Sequence, residues 1–296
     1  MSQRQLGPIL GATLVTRHFD QTSLAYCQQL GFTLSYQGTV SEALAAFWQA
    51  PDLCGNRLQI LAAANSDPWL RLVEDPNATD NKPLQRQGWL ALETNVANVD
   101  AVRAAIDPEQ FKVMGEPAYL QLSDAIKAMQ VIGPAGEVSY LTEIQRPVPP
   151  FELPQTRHFS ASIFIPVLAV PDRQAAVDFY QNLHNADKAL LFNTKITVLN
   201  KTWQKAPEQQ YPVATLQLDG LCLFEIDELP QALPLTKAAG SLPSGIALIS
   251  CICKDLDRVA ALTGASIHQF HDPYYPSDRF ILLTGTAGEL IELVEG

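Results

Sequence analysis

The sequence predicts an α+β fold assembled from four βαβββ modules, and three observations carry that prediction. One order of apolar, turn and helical segments recurs four times, two unrelated segments recur at nearly one spacing, and a proline-rich stretch divides the chain near its middle. Self-similarity at a fixed period marks a duplicated supersecondary unit. The 296 residues suit two domains, since about 150 residues are enough to bury a core of their own. With 47% hydrophobic and 17% charged residues the composition is that of an ordinary folded protein.

The first unit opens with the apolar run ILGATLVT (9–16), an expected strand. Asp20 and Thr22 can cap a helix that runs to Leu30, and FTLSYQ, AAFWQ and RLQILAA read as the strands that complete the module. The short run around AAFWQ fits a helical period equally well. In the second unit the strand WLALETNV (89–96) leads through Asn98 and Asp100 into the helix VDAVRAAI, and FKVMG with PAYLQL, KAMQVI and EVSYLTEI follow as strands.

The third unit begins with SIFIPVLAV (162–170), where Pro171 and Asp172 open the helix DRQAAVDFYQNL. KALLF, KITVLN, VATLQL and LCLFEI are its expected strands. The fourth unit sets GIALISCIC (245–253) before the helix DLDRVAAL, then SIHQFH, RFILLT and ELIELVE. Within this frame SLAYCQQLGF (23–32) matches AVDFYQNLHN (176–185) at an offset of 153, and GPAGE (133–137) returns as GTAGE (285–289) at an offset of 152. QRPVPPFELPQTRHFS (145–160) carries four prolines and breaks both periodicities, as an extended linker does. The expected division is a first domain over 1–147, a linker over 148–160 and a second domain over 161–296, each built from two consecutive modules. A second proline-rich piece, LPQALPLTKAAGSLPSG (229–245), joins the third and fourth units as a surface crossover.

The segments IPVLAVPDRQAAVDFYQNL (165–183) and GTAGELIELVE (285–295) resemble the first strand and helix, and the closing turn and strand, of the vicinal-oxygen-chelate superfamily. That superfamily includes glyoxalase I, bleomycin-resistance proteins and extradiol dioxygenases. The resemblance implies two glyoxalase/bleomycin-resistance-like domains, in each of which paired modules curl around one cleft. It also implies ligand positions near the start of each first strand and the middle of each last strand. By motif alignment these are near Ala12, Ala91, Ile165 and Leu248, and near Gln59, Tyr140, Glu225 and Glu292. Two carboxylates without imidazole make a poor site for iron, zinc or nickel. No cofactor is expected, a divalent metal staying open as an alternative.

The densest polar stretch is IHQFHDPYYPSDRF (267–280). His268 and His271 are near-neutral bases, and either of them beside Glu292 could act as a general base whose imidazole the carboxylate orients. Tyr274, Tyr275 and Arg279 suit an oxygenated ligand, joined by Glu225 from the third unit. The competing reading is an exposed loop in which Asp272-Pro273 and Pro276-Ser277 make turns. His18, His158 and His184 sit at a turn, in the linker and at a helix end, where solvation is the simpler role. Trp48, Trp89, Tyr119 and Tyr140 are candidates to line an apolar cleft, and Glu93 alternates with Leu90 and Leu92 so that it faces either that cleft or water.

Thirty-one acidic against twenty basic residues give a net charge of −11, which argues against nucleic acid and anionic membrane surfaces as partners. The apolar run near the start is too short for a signal peptide or membrane span, so a cytoplasmic location is expected. Five cysteines lack framework spacing, and no disulfide or zinc site is expected. The expected function is binding of an oxygenated or aromatic metabolite in a sheet-lined cleft, to sequester it or act on it. The alternatives are a lyase, isomerase or extradiol-type dioxygenase with a non-standard metal set, and a non-catalytic scaffold. A small-molecule ligand is the expected partner, and a homodimer is left open.

Overall fold

The structure is a computed structural model and describes residues 3–64, 68–80, 82–186 and 188–296. Unit one comprises β1 (Leu6–Thr16), α1 (Phe19–Leu30), β2 (Thr33–Thr39), the short helix α2 (Glu42–Phe47), β3 (Arg57–Ala62) and β4 (Pro68–Glu74). Unit two comprises β5 (Gly88–Asn95), α3 (Val99–Ala105), β6 (Lys112–Leu120), β7 (Ser123–Ile132) and β8 (Val138–Ile144). Unit three comprises β9 (Ile163–Val170), α4 (Arg173–His184), β10 (Leu190–Lys195), α5 (Thr197–Thr202), β11 (Gln210–Gln217) and β12 (Leu223–Glu228). Unit four comprises β13 (Gly245–Cys253), α6 (Leu256–Thr263), β14 (His268–Gln269), β15 (Arg279–Thr284) and β16 (Leu290–Glu295).

Local chemistry starts and stops these helices as the sequence implies. The side chains of Asn98, Asp172 and Asp255 accept from Ala101, Ala175 and Arg258 backbone N–H groups, each closing an N-terminus. Gly31, Asn185 and Gly264 end α1, α4 and α6 in left-handed conformations. Asp20 does not cap α1; it lies in the first turn and pairs with Arg57 at 2.8 Å. Two expected strands are helices. AAFWQ belongs to α2, which Ser41 caps from outside and which buries Leu44, Ala45 and Phe47, and KITVLN forms α5, which buries Val198 and Leu199. The fourth strand of unit one is therefore β4, and Arg71 rather than Gln59 stands on the closing strand.

The strands form two eight-stranded sheets. One runs β14-β15-β16-β13-β1-β4-β3-β2 and the other β10-β11-β12-β9-β5-β8-β7-β6. Unit one thus pairs with unit four, and unit two with unit three, through the antiparallel seams β1·β13 and β5·β9. This corrects the expectation that consecutive units pair within 1–147 and 161–296. The proline-rich linker at 148–160 joins two modules of one sheet, and the chain changes sheets at 75–87 and again at 229–244. Those two crossovers run side by side: Gln87 N–H donates to Leu233 O at 2.8 Å and Leu233 N–H to Gln85 O at 2.9 Å. Repeat length alone could not reveal this, because any two of four similar modules present the same edge strand to a partner.

The sheets also share one continuous core. The Tyr26 ring of α1 meets Phe111 of unit two at 5.3 Å, and Trp89 Nε1 donates to Leu290 O at 2.7 Å. The duplicated G-x-A-G-E turn serves this junction. A Cβ on Gly133 or Gly285 would stand within 2 Å of the Glu137 or Glu289 carboxylate, so the small residue makes room for a buried acid. Tyr180 of α4 then donates to Glu289 at 2.9 Å, and Tyr26 of α1 stands beside Glu137. His184, expected in solvent, is buried and its Nδ1 accepts from Leu6 N–H at 3.3 Å. All five cysteines are free. Among the described residues no helix is long and apolar enough to cross a membrane.

Candidate functional site

Within each module the first and last strands are parallel neighbours, and their facing side chains meet at the middle of the sheet. In the first sheet the register pairs Thr13 with Arg71 and Ser250 with Glu292, on either side of the β1·β13 seam. In the second sheet the corresponding pairs are Glu93 with Tyr140 and Val167 with Glu225. The seams agree as well, since Thr13 faces Leu248 across one and Glu93 faces Ile165 across the other. The alignment positions Ala12, Ala91 and Leu248 are therefore replaced by Thr13, Glu93 and Ser250 at the pairs that meet the closing strands.

The first cleft is filled by the chain itself. Arg71 and Glu292 are wholly buried and form an ion pair at 2.9 Å. Arg71 also donates to Thr13 Oγ1 at 2.8 Å and to the Tyr275 hydroxyl at 2.9 Å. Glu292 accepts from Tyr275, Ser250 and the Trp48 indole N–H. The guanidinium lies over the rings of Trp48 and Tyr274, at 4.6 and 4.4 Å. Burial opposes its charge, and Glu292 with the two tyrosines outweighs that, so its pKa is raised. Around the pair a second core gathers Leu44, Phe47 and Trp48 from α2 and its end with Tyr275 and Phe280. Among the described residues, no buried polar side-chain atom of this centre is without a hydrogen-bond partner.

The second cleft holds a cavity of about 600 Å³. Glu93, Gln130, Tyr140, Ile165, Thr215 and Glu225 form its inner wall, while Tyr119, Leu120, Leu122, Phe151, Phe192 and Lys195 surround its outer part. The β6–β7 hairpin, β10 and the linker supply those outer residues. Tyr119, Leu120 and Leu122 are exposed, an apolar rim of the kind that marks ligand-binding grooves. The size and the mostly apolar wall match small-molecule sites.

The inner wall is acidic and under-bonded. Glu93 accepts from the Thr142 hydroxyl at 2.6 Å. Burial and the neighbouring Glu225 raise the Glu93 pKa to about 8 against that bond, and burial raises Glu225 to about 7. Asp227, two residues along β12 and on the same face, is pushed well above its usual range by burial and then by both glutamates. Burial, then Asp227, Glu225 and Glu93, likewise raise the Tyr140 phenol. The Tyr140 hydroxyl, the Thr215 hydroxyl and both Asp227 oxygens have no hydrogen-bond partner among the described residues. Such groups are rare in folded proteins and ask for an explanation.

The residues singled out in the sequence divide between these places. Glu225 lines the cavity, with Tyr119, Tyr140 and Glu93, whose face the sequence left undecided. Glu292, Tyr274 and Tyr275 belong to the filled cleft of the first sheet. The expected histidine beside Glu292 is corrected: its neighbours are Arg71, Trp48, Ser250 and Tyr275. His271 is 81% exposed next to Asp278, and His268 is exposed with its ring edge-on to Phe47. Arg279 does not point to a cleft. It pairs with Glu295 and Asp257, so its charge is already met. Trp48 plugs the first cleft, and Trp89 ties the sheets together. A divalent ion of the kind the sequence resemblance implies does not fit the donors present: a guanidinium meets the carboxylate in one centre, and among the described residues no three His, Cys, Asp or Glu side chains are grouped to hold a metal.

No protein-family model matches the sequence, and no curated relative matches it. Similar solved structures do exist. Glyoxalase I from Zea mays is similar over 97% of this chain and 92% of its own, with a TM-score of 0.62 and 15% identity. A candidate dioxygenase from Bacillus subtilis subsp. subtilis strain 168 is similar over 99% of this chain and 86% of its own, with a TM-score of 0.65 and 11% identity. The cppA protein from Streptococcus pneumoniae TIGR4 is similar over 99% of both chains, at a TM-score of 0.53 and 12% identity. At these identities the likeness is one of fold: the chain shares the α+β fold of these solved structures.

Proposed function

We propose that this protein binds a small, largely apolar molecule in the cavity of the second sheet, and that Glu93 and Glu225 exchange protons with the polar end of that molecule. The observation that carries the reading is the contrast between a cleft closed by its own side chains and an equivalent cleft that keeps about 600 Å³ open beside hydrogen-bonding groups with no partner. An aromatic or aliphatic body would lie against Phe164, Ile165, Phe192 and Leu223. Burial holds both carboxyls well above the ordinary carboxylate range, so near neutral pH the pair can keep a proton that one member donates while the other accepts. Two coupled acids facing one ligand can supply a proton from one and take one up at the other, as general acid–base chemistry needs. The first sheet, with its centre neutralised, serves as the support on which the second is built.

The test uses N-phenyl-1-naphthylamine, an uncharged dye, as an apolar probe of the cavity. One dye is expected to bind per chain, and Thr194→Trp, which puts an indole on the cavity wall contributed by β10, is expected to abolish that binding with the fold intact. Unreduced dye binding in this variant would place the ligand elsewhere and defeat the assignment.

A further inference from the structure

The two clefts are built on the same register, yet their charge differs. In the first, the four meeting positions carry Thr13, Arg71, Ser250 and Glu292, so one carboxylate is matched by one guanidinium. In the second they carry Glu93, Tyr140, Val167 and Glu225, with Asp227 two residues further along β12. Tyr140 stands where Arg71 stands. The position that supplies a cation in one sheet therefore supplies a phenol in the other, and the acids there have no basic side chain among them.

The surroundings do not restore the balance. The titratable groups gathered here are Glu93, Tyr140 and Glu225 on the cavity wall and Asp227 beside them, and burial with Asp227 raises the phenol of Tyr211 on β11. Tyr211 is already engaged, since it donates to Asn200 at 2.8 Å. The lysines that line the cavity, Lys195 and Lys201, belong to the edge strand β10 and to α5. Lys195 pairs with Glu208, and Lys201 acts on Glu116. Meanwhile the Tyr140 and Thr215 hydroxyls, both nine-tenths or more buried, line the cavity without a partner among the described residues. A hydroxyl, a phenol and carboxyls, here spread over neighbouring strands of one sheet, are also the kinds of group that hold the Arg71 guanidinium in the first cleft: Thr13, Tyr275 and Glu292.

We infer that the polar end of the ligand is an organic cation, an ammonium or amidinium group, that takes in the second cleft the place the Arg71 side chain takes in the first. This rests on the cavity being the ligand site. It adds the class of ligand: an amine, amidine or guanidine on an apolar body. The acids are not grouped tightly enough for a metal ion, whereas a group with several N–H donors can bridge wider-set acceptors. Binding such a cation favours the ionised form of the acids around it, so a proton leaves Glu93, Glu225 or Asp227 as the ligand enters.

The experiment is isothermal titration of the whole protein with 4-phenylbutylammonium, 4-phenylbutan-1-ol and 4-phenylbutyrate, which share one apolar body. At about pH 8 the ammonium is expected to bind at least about tenfold more tightly than the alcohol. In buffers of different ionisation enthalpy it is expected to release a proton, and its advantage is expected to shrink towards about pH 5, where the acids are protonated. Glu93→Gln and Glu225→Gln keep shape and hydrogen bonding while removing charge, and each is expected to weaken the ammonium more than the alcohol. Equal affinity for ammonium and alcohol, or tighter binding of the butyrate, overturns the inference and leaves the cavity as a ligand site. Failure of all three probes to bind overturns both. Mn²⁺ bound at a site that Glu225→Gln destroys, with no preference for the ammonium, overturns the cationic ligand in favour of a metal.

Discussion

Trp48 and Trp203 occupy one position in the duplicated architecture, each as the residue that ends a short helix, α2 or α5, before a residue with positive φ. Trp48 turns inward, stacks on Arg71 and donates to Glu292. Trp203 turns away and donates to Leu84 O at 3.1 Å in the crossover between sheets. The loops opposite differ in the same sense. In the first sheet the segment between β14 and β15 drops Tyr275 into the centre, whereas in the second the β6–β7 hairpin stays extended and leaves Tyr119, Leu120 and Leu122 exposed. One fold thus makes a solid core or an open cavity without altering strand order. The choice lies with two aromatic side chains and with Arg71 against Tyr140.

The largest effect should come from breaking the filled cleft. Arg71→Met leaves Glu292 buried and without its cation, and unfolding in urea should show a loss of roughly 3 to 5 kcal/mol. Arg71→Met combined with Glu292→Leu removes both charges and should recover most of that loss. If the double variant is as unstable as the single one, the Trp48, Ser250 and Tyr275 donors that lose Glu292 cost as much as the unpaired carboxylate, and the centre is held by that hydrogen-bond network rather than by the ion pair alone.

The fold was legible because the strands are apolar runs between turn signals and because G-x-A-G-E recurs. Which modules pair was not, since sheet order depends on contacts between residues far apart in the chain. Glu225 was reached through the closing-strand motif. Glu93 was named, but every residue of β5 is buried, so alternation gave no face to it. Arg71 went unread for a related reason: an arginine within PWLRLVE looks like the solvent side of a strand until a carboxylate is seen across the sheet. The histidine-rich stretch misled in the opposite direction, because polar residues crowd together in loops for the sake of water.

The open cleft makes a smaller, pH-dependent prediction. Glu93 and Glu225 titrate higher in the folded protein than in the unfolded chain, so the folded state holds more protons between those values. Their contribution is fully present below about pH 4.5 and is lost as pH rises through 7 to 8. Glu93→Gln should therefore leave stability nearly unchanged at about pH 5 and raise it at about pH 8, by on the order of 2 kcal/mol. Tyr140→Phe removes a phenol that has no partner and should change stability by less than about 1 kcal/mol, a sharp contrast with Arg71 at the equivalent position. Thermal melts across that pH range measure both. A loss of stability in Glu93→Gln at the higher pH would mean that the carboxylate is held by interactions beyond Thr142.

The smallest effects belong to the surface loop of the fourth unit. His271 is largely exposed and touches Asp278 at 3.1 Å, while Arg279 meets Glu295 and Asp257 at the edge of β15. Solvent and salt screen such pairs, so His271→Ala should stay within about 0.5 kcal/mol of the parent and Arg279→Ala within about 1 kcal/mol. The loop matters to the first sheet through Tyr275, which sits four residues from either side chain and keeps its hydroxyl on Glu292 regardless of them. Both variants should therefore bind N-phenyl-1-naphthylamine and 4-phenylbutylammonium as the parent does, since neither residue belongs to the second sheet. A loss of ligand binding in His271→Ala with unchanged stability would break the division between a closed and an open cleft, because it would give the first sheet a binding role that its filled centre argues against.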